Sequence, residues 1–216
     1  MRLGRICAFL MVAVMALFGQ CLAAQQIVDR VVARVEYDVI LWSDVRTLSR
    51  YQQFLDGKSE PDEQILDRLI DQWIVRTEAD VARSPHPSDA EIDKAIARLH
   101  ESFASDQEFA TRKQRAGLSD QEIRAMTSAQ LYLSNYLDSR FRPAVQIELK
   151  AIAEFYENAV VPRAKARGQE PPSLEAARDF IQEALVQNGI NEQADKWLKE
   201  SRLRLHIEKL GPEGAP

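Results

Sequence analysis

The three histidines are the side chains best suited to proton transfer or metal binding near neutral pH, and they lie far apart in the sequence. His86 stands in a proline-containing break, His100 in a helical stretch and His206 in the last apolar segment. None has another His, Asp or Glu at a spacing typical of a metal site. The sequence has no glycine-rich phosphate loop and no Gly-x-Ser-x-Gly motif. We therefore predict that the chain is not an enzyme, with no catalytic residues, no metal and no cofactor.

The N-terminal segment has the order of a cleavable signal peptide. Arg2 and Arg5 precede an uncharged apolar run over 6–18, and two small residues follow at 23–24. The run is shorter than the roughly 20 residues that span a bilayer. We expect a signal peptide over 1–24, cut after Ala23 or Ala24, a periplasmic location and no stable membrane anchor.

Thiol chemistry is not expected in the exported chain. Both cysteines, Cys7 and Cys21, lie in the predicted signal peptide. Gln20 stands where a lipid-attachment signal has a small residue, which disfavours lipidation at Cys21. The formal net charge of −5 becomes two units more negative without Arg2 and Arg5. An acidic chain does not favour nucleic acid as a partner, since phosphate binding needs a basic face.

Aromatic and aliphatic side chains are frequent, and many recur at helical spacing. The helix predicted over 119–141 is apolar on more than one side, so it is either deeply buried or touches a partner. Phe103, Phe109, Met126, Tyr132 and Tyr136 are the candidate contact residues.

These candidates depend on a mostly helical framework with a small sheet. Residues 26–35 and 39–42 are rich in β-branched or apolar residues around a polar turn, which predicts a hairpin. The alternation over 203–210 predicts a closing strand, and the hairpin is its expected partner. We therefore predict a mostly α fold, in which the hairpin pairs with a C-terminal strand next to a long C-terminal helix.

Helix boundaries follow from caps and breakers. Ser43 is predicted to cap the first helix and Gly57 to end it. Ser88 and Ser119 each stand three residues before a Glu, the spacing of a capping box. Asn188-Gly189 is expected to kink or divide the last helix. The predicted helices cover 44–55, 61–83, 89–103, 106–116, 119–141, 148–159 and 173–202.

The order of these motifs resembles SurA-type periplasmic chaperones. The resemblance covers the strand 27–35 (IVDRVVARV), the second strand and helix start 39–45 (VILWSDV), and the helices beginning at 64 (QILDRLIDQWI) and 88 (SDAEIDKAI). The short helix, Gly117 and the 119–141 helix match the rest of that family's N-terminal domain. The resemblance therefore implies an N-terminal chaperone domain over 25–160 and the family's C-terminal helix and strand over 173–210.

One departure from the family concerns its prolyl isomerase. Members usually carry one or two parvulin domains between these two parts, whereas only 161–172 connect them here. We predict that 161–172 is a linker in place of that domain, so no catalytic residue is carried over. What the resemblance implies is an ATP-independent holdase for unfolded polypeptide clients, outer-membrane proteins above all. A cleft lined by aromatic, Leu and Met side chains accepts many sequences. The resemblance therefore makes the five candidate contact residues, Phe103, Phe109, Met126, Tyr132 and Tyr136, the candidate peptide-binding residues.

Two other functions stay open at the level of sequence. The chain could be a dedicated interaction or assembly module for one exported partner, for which the 119–141 helix and the linker leave room. A residual prolyl isomerase is the second alternative, and the missing domain argues against it. The sequence does not decide oligomeric state or client breadth.

Overall fold

A computed structural model describes residues 29–210. The predicted signal peptide and the first residues of the predicted hairpin lie outside this range. Helices hold 72% of the described residues, and the mostly α prediction is confirmed. None of the helices in this range combines the length and apolarity needed to cross a bilayer. The elements are β1 (Val31–Val35), β2 (Asp38–Leu41), α1 (Trp42–Asp56), α2 (Asp62–Val81), α3 (Asp89–Glu101), α4 (Asp106–Ala116), α5 (Asp120–Phe141), α6 (Leu149–Phe155), α7 (Val161–Ala166), α8 (Leu174–Arg202) and β3 (Ile207–Lys209).

The sheet joins the two ends of the described chain, as predicted. Its strand order is β2-β1-β3, with both neighbours antiparallel to the central strand. In β1, the side chains of Val32, Ala33 and Val35 are buried, because the sheet packs against α1 and α2. The register places Ala33 opposite Lys209 in β3 and opposite Ile40 in β2.

A two-residue turn connects β1 to β2. Glu36 has a φ of 54°, the positive value that two-residue hairpin turns need at their first central position. The carboxylate of Glu36 accepts a hydrogen bond of 2.7 Å from the backbone N–H of His206. The turn is thereby tied to the segment that leads into β3.

The start of α1 differs from the prediction, because Ser43 lies inside the helix rather than capping it. The helix begins at Trp42, and the carboxylate of Asp44 accepts the backbone N–H of Leu41 at 2.9 Å. Asp29 supplies a second acceptor, to the backbone N–H of Ser43 at 3.2 Å. Hydrogen bonds from Ser43 lower the pKa of the Asp29 carboxyl. The carboxylate of Asp29, from the segment before β1, therefore caps the start of α1. The sequence predicted this role for the side chain of Ser43.

The turns and caps of the next helices agree with the sequence pattern. Gly57 ends α1 and Gly117 ends α4, both with left-handed φ. Ser88 and Ser119 form the two predicted capping boxes, with Glu91 and Glu122. The apolar stripe of α2 is buried at Ile65, Ile70 and Ile74 among others, whereas Val81 is 78% exposed, because the helix ends there.

The segment predicted as a linker is helical over its first half. A π turn over Tyr156–Val160 connects α6 to α7, and α7 reaches Ala166. Pro162 has no N–H to donate, and the widened turn before it avoids the clash that proline causes in a regular α-helix. The connection without regular structure is therefore shorter than 161–172, and the hydroxyl of Tyr156 closes it by donating to the carbonyl of Pro172 at 2.7 Å.

The last helix, α8, is continuous over 29 residues, so the expected division at Asn188-Gly189 is wrong. A Cβ placed on Gly189 would lie 2.7 Å from Cγ1 of Val145, in the segment after α5. The glycine thus permits a close approach between the two segments rather than a break.

Charged hydrogen bonds attach the C-terminal elements to α2. Arg202 donates to the carboxylates of Asp67 at 3.0 Å and Asp71 at 2.7 Å. Lys209 in β3 lies 2.8 Å from Asp67. Burial raises the pKa of the Asp67 carboxyl, but the hydrogen bonds from Lys209 and Arg202 outweigh it and the pKa is lowered overall.

Candidate functional site

An open apolar groove lies where β2, α1, α2 and α5 meet. We call it the α1–α5 groove, and its cavity volume at the β2 end is about 260 Å³. This is just under the lower end of the roughly 300–1,000 Å³ of small-molecule sites. The space suits a few side chains better than a whole helix. Its lining residues are Val39, Ile40, Asp44, Thr47, Leu48, Leu69, Gln72, Trp73, Arg76, Met126, Ala129, Gln130 and Leu133.

The groove continues along α1 past Gln130. Two further cavities share this residue, one towards Pro61 and one towards Leu99 of α3. From Thr47 to Leu55 the helix advances by about 12 Å at roughly 1.5 Å per residue. An extended chain advances by about 3.3 Å per residue, so this length holds about four residues of a peptide.

The walls combine an apolar base with amides at the rim. Leu48 is buried at the base, and Leu69, Trp73 and Met126 are half-buried beside it. Gln130 remains exposed at the rim, where amide groups can hydrogen-bond to a main chain. This composition binds apolar side chains without selecting one sequence.

Tyr51 fixes the polar side of the groove. Its hydroxyl lies 3.3 Å from Oγ1 of Thr127 and donates to Oε1 of Gln130 at 3.4 Å. Burial raises the pKa of the Tyr51 hydroxyl. The group therefore stays protonated at neutral pH and acts as a hydrogen-bonding contact rather than as a base.

Opposite charges stand at the β2 end of the groove. Asp44 belongs to the first turn of α1, and Arg76 to the last third of α2. Trp73 donates its indole N–H to the carboxylate of Asp38 in β2 at 2.8 Å, which holds α2 against the strand. This end of the groove therefore has an acidic strand side and a basic helix side.

Among the predicted peptide-binding residues, Met126 lines the groove and two phenylalanines lie apart from it. Phe103 and Phe109 pack on the buried ring of Phe54, with ring centroids 5.1 and 5.3 Å away. The two rings are half-buried, and the guanidinium of Arg112 lies over Phe103. They form a cluster that attaches α4 to α1.

Tyr132 and Tyr136 are core residues, which corrects their assignment as peptide contacts. They are 6% and 3% exposed and pack with Val75 and Ala79 of α2. The hydroxyl of Tyr132 donates to Asp80 at 2.6 Å, and this bond raises its pKa to about 12. The two-sided apolar pattern of α5 thus has two causes: one side meets α2 and α8, and the other lines the groove.

The histidines occupy three separate surroundings. The ring of His86 stacks on Tyr132 at 4.3 Å, and that of His100 lies 4.4 Å from Phe109. His206 is exposed before β3. Residues 29–210 contain no group of three or more His, Cys, Asp or Glu that could hold a metal ion.

Several groove residues were not among the sequence candidates. Leu69 and Trp73 belong to the apolar stripe of α2, which predicts core positions and gives no sign that one end of the stripe opens to solvent. Val39 has a clearer signal: it is exposed, and it alternates with buried Ile40 in a strand. Such alternation is typical of a strand with one face packed on the core and the other exposed to solvent.

No protein-family model and no curated protein matches this sequence. The resemblance to SurA-type chaperones therefore stays an expectation from the sequence motifs and their order.

Proposed function

We propose that this chain is an exported, ATP-independent chaperone that holds unfolded polypeptides in the periplasm, with outer-membrane proteins as its main clients. The observation that carries the proposal is the α1–α5 groove, whose apolar base and amide rim are open along one side of α1. A groove of this kind binds short apolar segments of many sequences, because apolar contact is not directional. The signal-peptide pattern and the order of SurA-like motifs support the same function.

Binding and release in this proposal need no energy source. A short groove gives weak contact per segment, so a client leaves when its own folding buries the same side chains. The acidic chain also repels acidic clients, since the formal net charge is −5. Neutral or basic apolar segments are the preferred ligands.

Ala129→Trp tests the groove directly. Ala129 is a half-buried wall residue of α5, and an indole there fills the cavity without removing a large core side chain. We expect the wild type to suppress aggregation of a denatured outer-membrane barrel protein at stoichiometric ratio, measured by light scattering. The variant should lose most of this suppression.

Ala97→Trp is the matched control. Ala97 is exposed on α3 and outside the groove, so the substitution adds the same indole to an unrelated surface. We expect suppression close to wild type. If both variants suppress aggregation equally well, the groove does not bind the client, and if the wild type gives no suppression, the holdase function is wrong.

A dedicated role with one partner predicts a different result in periplasmic extract. A holdase captures a mixture of barrel proteins, and Ala129→Trp removes the whole mixture. One stoichiometric partner that survives Ala129→Trp would instead favour an assembly module.

A further inference from the structure

The outer edge of β2 exposes main-chain groups beside the groove. Within residues 29–210, β2 pairs with β1 alone. The turn at Glu36 and Tyr37 makes Val35 and Asp38 the pair that closes the hairpin, and in such a turn this pair is hydrogen-bonded. Hydrogen-bonded and non-hydrogen-bonded pairs alternate along an antiparallel ladder. The N–H and C=O of Val39, the next residue, therefore point away from β1.

The neighbouring bond at Leu41 agrees with this alternation. Its N–H is the next one along β2 to point outward, and the structure shows it bound to the Asp44 carboxylate at 2.9 Å. The Asp44 carboxylate thus occupies the N–H of Leu41, whereas the outward N–H and C=O of Val39 can still pair with an added chain. A pairing chain has one defined register at this edge.

The open edge and the groove share residues. Val39 and Ile40 line the groove together with Leu48, Leu69 and Trp73. Side chains of a strand alternate between the two sides. A chain that pairs with Val39 therefore places every second side chain towards the apolar base.

Charge defines the occupant further. Two carboxylates flank Val39, at Asp38 and Asp44, and each accepts a hydrogen bond from a neutral N–H group. Neither forms a salt bridge with a cation in the part of the chain that the structure describes. Arg76 is the basic residue on the opposite wall. The strand side of the groove therefore complements a guest with Lys or Arg next to its apolar residue.

We propose that the edge of β2 binds an extended segment of a client protein as an added strand, with main-chain hydrogen bonds to Val39, one apolar side chain in the groove and a basic residue beside Asp44. This mode rests on the proposed holdase function and names how its site takes a ligand. Main-chain bonds supply affinity that does not depend on sequence, and the pocket and the carboxylates supply the selection.

Val39→Pro removes the open donor. Proline has no N–H, and since the N–H of Val39 points outward, the substitution breaks no bond to β1. Val39→Ala is the matched control, because it trims the side chain and keeps the donor. The probe is a fluorescein-labelled ten-residue peptide that alternates Leu or Phe with Thr and Lys. We expect affinity about tenfold weaker for Val39→Pro and within about threefold for Val39→Ala, by fluorescence anisotropy.

A second measurement uses the wild-type protein, so it stands even where Val39→Pro fails to keep the wild-type circular dichroism and melting temperature. Single N-methylation along the peptide removes one donor at a time. We expect loss of affinity at one position, since Val39 is the one residue of the described β2 edge with open main-chain groups and a single peptide N–H reaches its carbonyl. The two neighbouring N–H groups of the peptide point away from β2, so their methylation should be tolerated. Uniform tolerance of N-methylation would overturn strand addition.

The charge assignment has its own comparison. Replacing Lys by Glu in the peptide should weaken binding several-fold, and Asp44→Asn should remove most of that difference while still accepting the N–H of Leu41. Equal affinity of the Lys and Glu peptides for the wild type would contradict the basic guest.

The outcomes separate this inference from the function on which it rests. Full aggregation suppression by Val39→Pro, with loss in Ala129→Trp, would leave the holdase standing and reject strand addition. Sensitivity to N-methylation at one peptide position, without aggregation suppression, would reject the holdase function and leave strand addition standing. Conversion of a dimer to a monomer by Val39→Pro would assign the edge to a second copy and reject the client strand.

Discussion

Gly189 lies where α8 passes the segment that follows α5. Val145 occupies the space that a side chain at position 189 would need. Cγ1 and Cγ2 of Val145 would lie 2.7 and 3.1 Å from an added Cβ. Valine is stiff at χ1, so it cannot rotate away without cost. The contact with Val145 therefore offsets the stabilisation of about 1 kcal/mol that alanine usually gives over glycine within a helix.

Gly189→Ala should lower the free energy of unfolding by about 1 kcal/mol, because overpacking costs about 1–3 kcal/mol and helix propensity returns about 1 kcal/mol. In a Val145→Ala background, Gly189→Ala should raise the free energy of unfolding by about 1 kcal/mol. Urea unfolding of the wild type, the two single variants and the double variant measures both changes. A stabilising Gly189→Ala in the wild type would show that the contact is loose.

The contact of Gly189 with Val145 could not be predicted from the sequence. A glycine within a helical pattern predicts a weak point, and nothing local reveals a valine 44 positions earlier in the chain. The same holds for Asp29, which replaces Ser43 at the start of α1. Caps formed within three residues, such as Ser88 with Glu91, follow from sequence because both partners belong to one turn.

At the scale of elements, α5 and α8 are joined by ion pairs on Arg142. Its guanidinium donates to both carboxylate oxygens of Glu183, at 2.8 and 3.0 Å, and to Asp138. The hydrogen bonds from Arg142 lower the pKa of the Glu183 carboxyl from 4.5 to about 2. A group with a lowered folded-state pKa stabilises the fold above its unfolded pKa and loses this effect as the pH falls through the folded pKa.

Glu183→Gln should therefore lower the urea midpoint at pH 7, and its difference from the wild type should shrink below pH 4.5 and vanish near pH 2. The effect is modest, because the pair is exposed to solvent. Glu175→Gln is the control on the same helix, at an exposed position. A difference that persists unchanged at pH 2 would mean that charge is not its source.

The helices themselves were largely predictable, and the groove was not. Period and caps place α1 to α5 and α8 within a few residues, because these signals act within one or two turns. The groove needs the relative positions of β2, α1, α2 and α5, so its residues looked like core. Tyr132 and Tyr136 had the same apolar spacing as Met126, and only packing against α2 separates them.

At the scale of the molecule, β3 completes a sheet whose other strands come from the opposite end of the described chain. Removing residues 203–216 takes away the pairing of β3 with β1, the Lys209 to Asp67 bond and the contacts of Leu205 and Ile207. We expect the free energy of unfolding to fall by at least about 2 kcal/mol, since half-buried apolar contacts and hydrogen bonds are lost together.

Chemical denaturation of a chain ending at Arg202 measures this loss. A chain ending at Leu210 is the matched control, because it keeps β3 and the bond from the N–H of Leu210 to the carbonyl of Val32 at 2.9 Å. Its midpoint should equal that of the full chain. Equal midpoints for both truncations would show that β3 does not stabilise the sheet.

The ladder between β1 and β3 also sets the order of events during synthesis. Arg34 and Glu208, which form a salt bridge across it, are 174 positions apart. A ribosome makes about 5–20 residues per second, so β1 is made on the order of ten seconds or more before its second neighbour. Until then one side of the future central strand is an open edge, which is a hazard for aggregation. Until β3 pairs with β1, the new chain therefore needs protection from aggregation. This is the same protection that the folded protein is proposed to give to its clients.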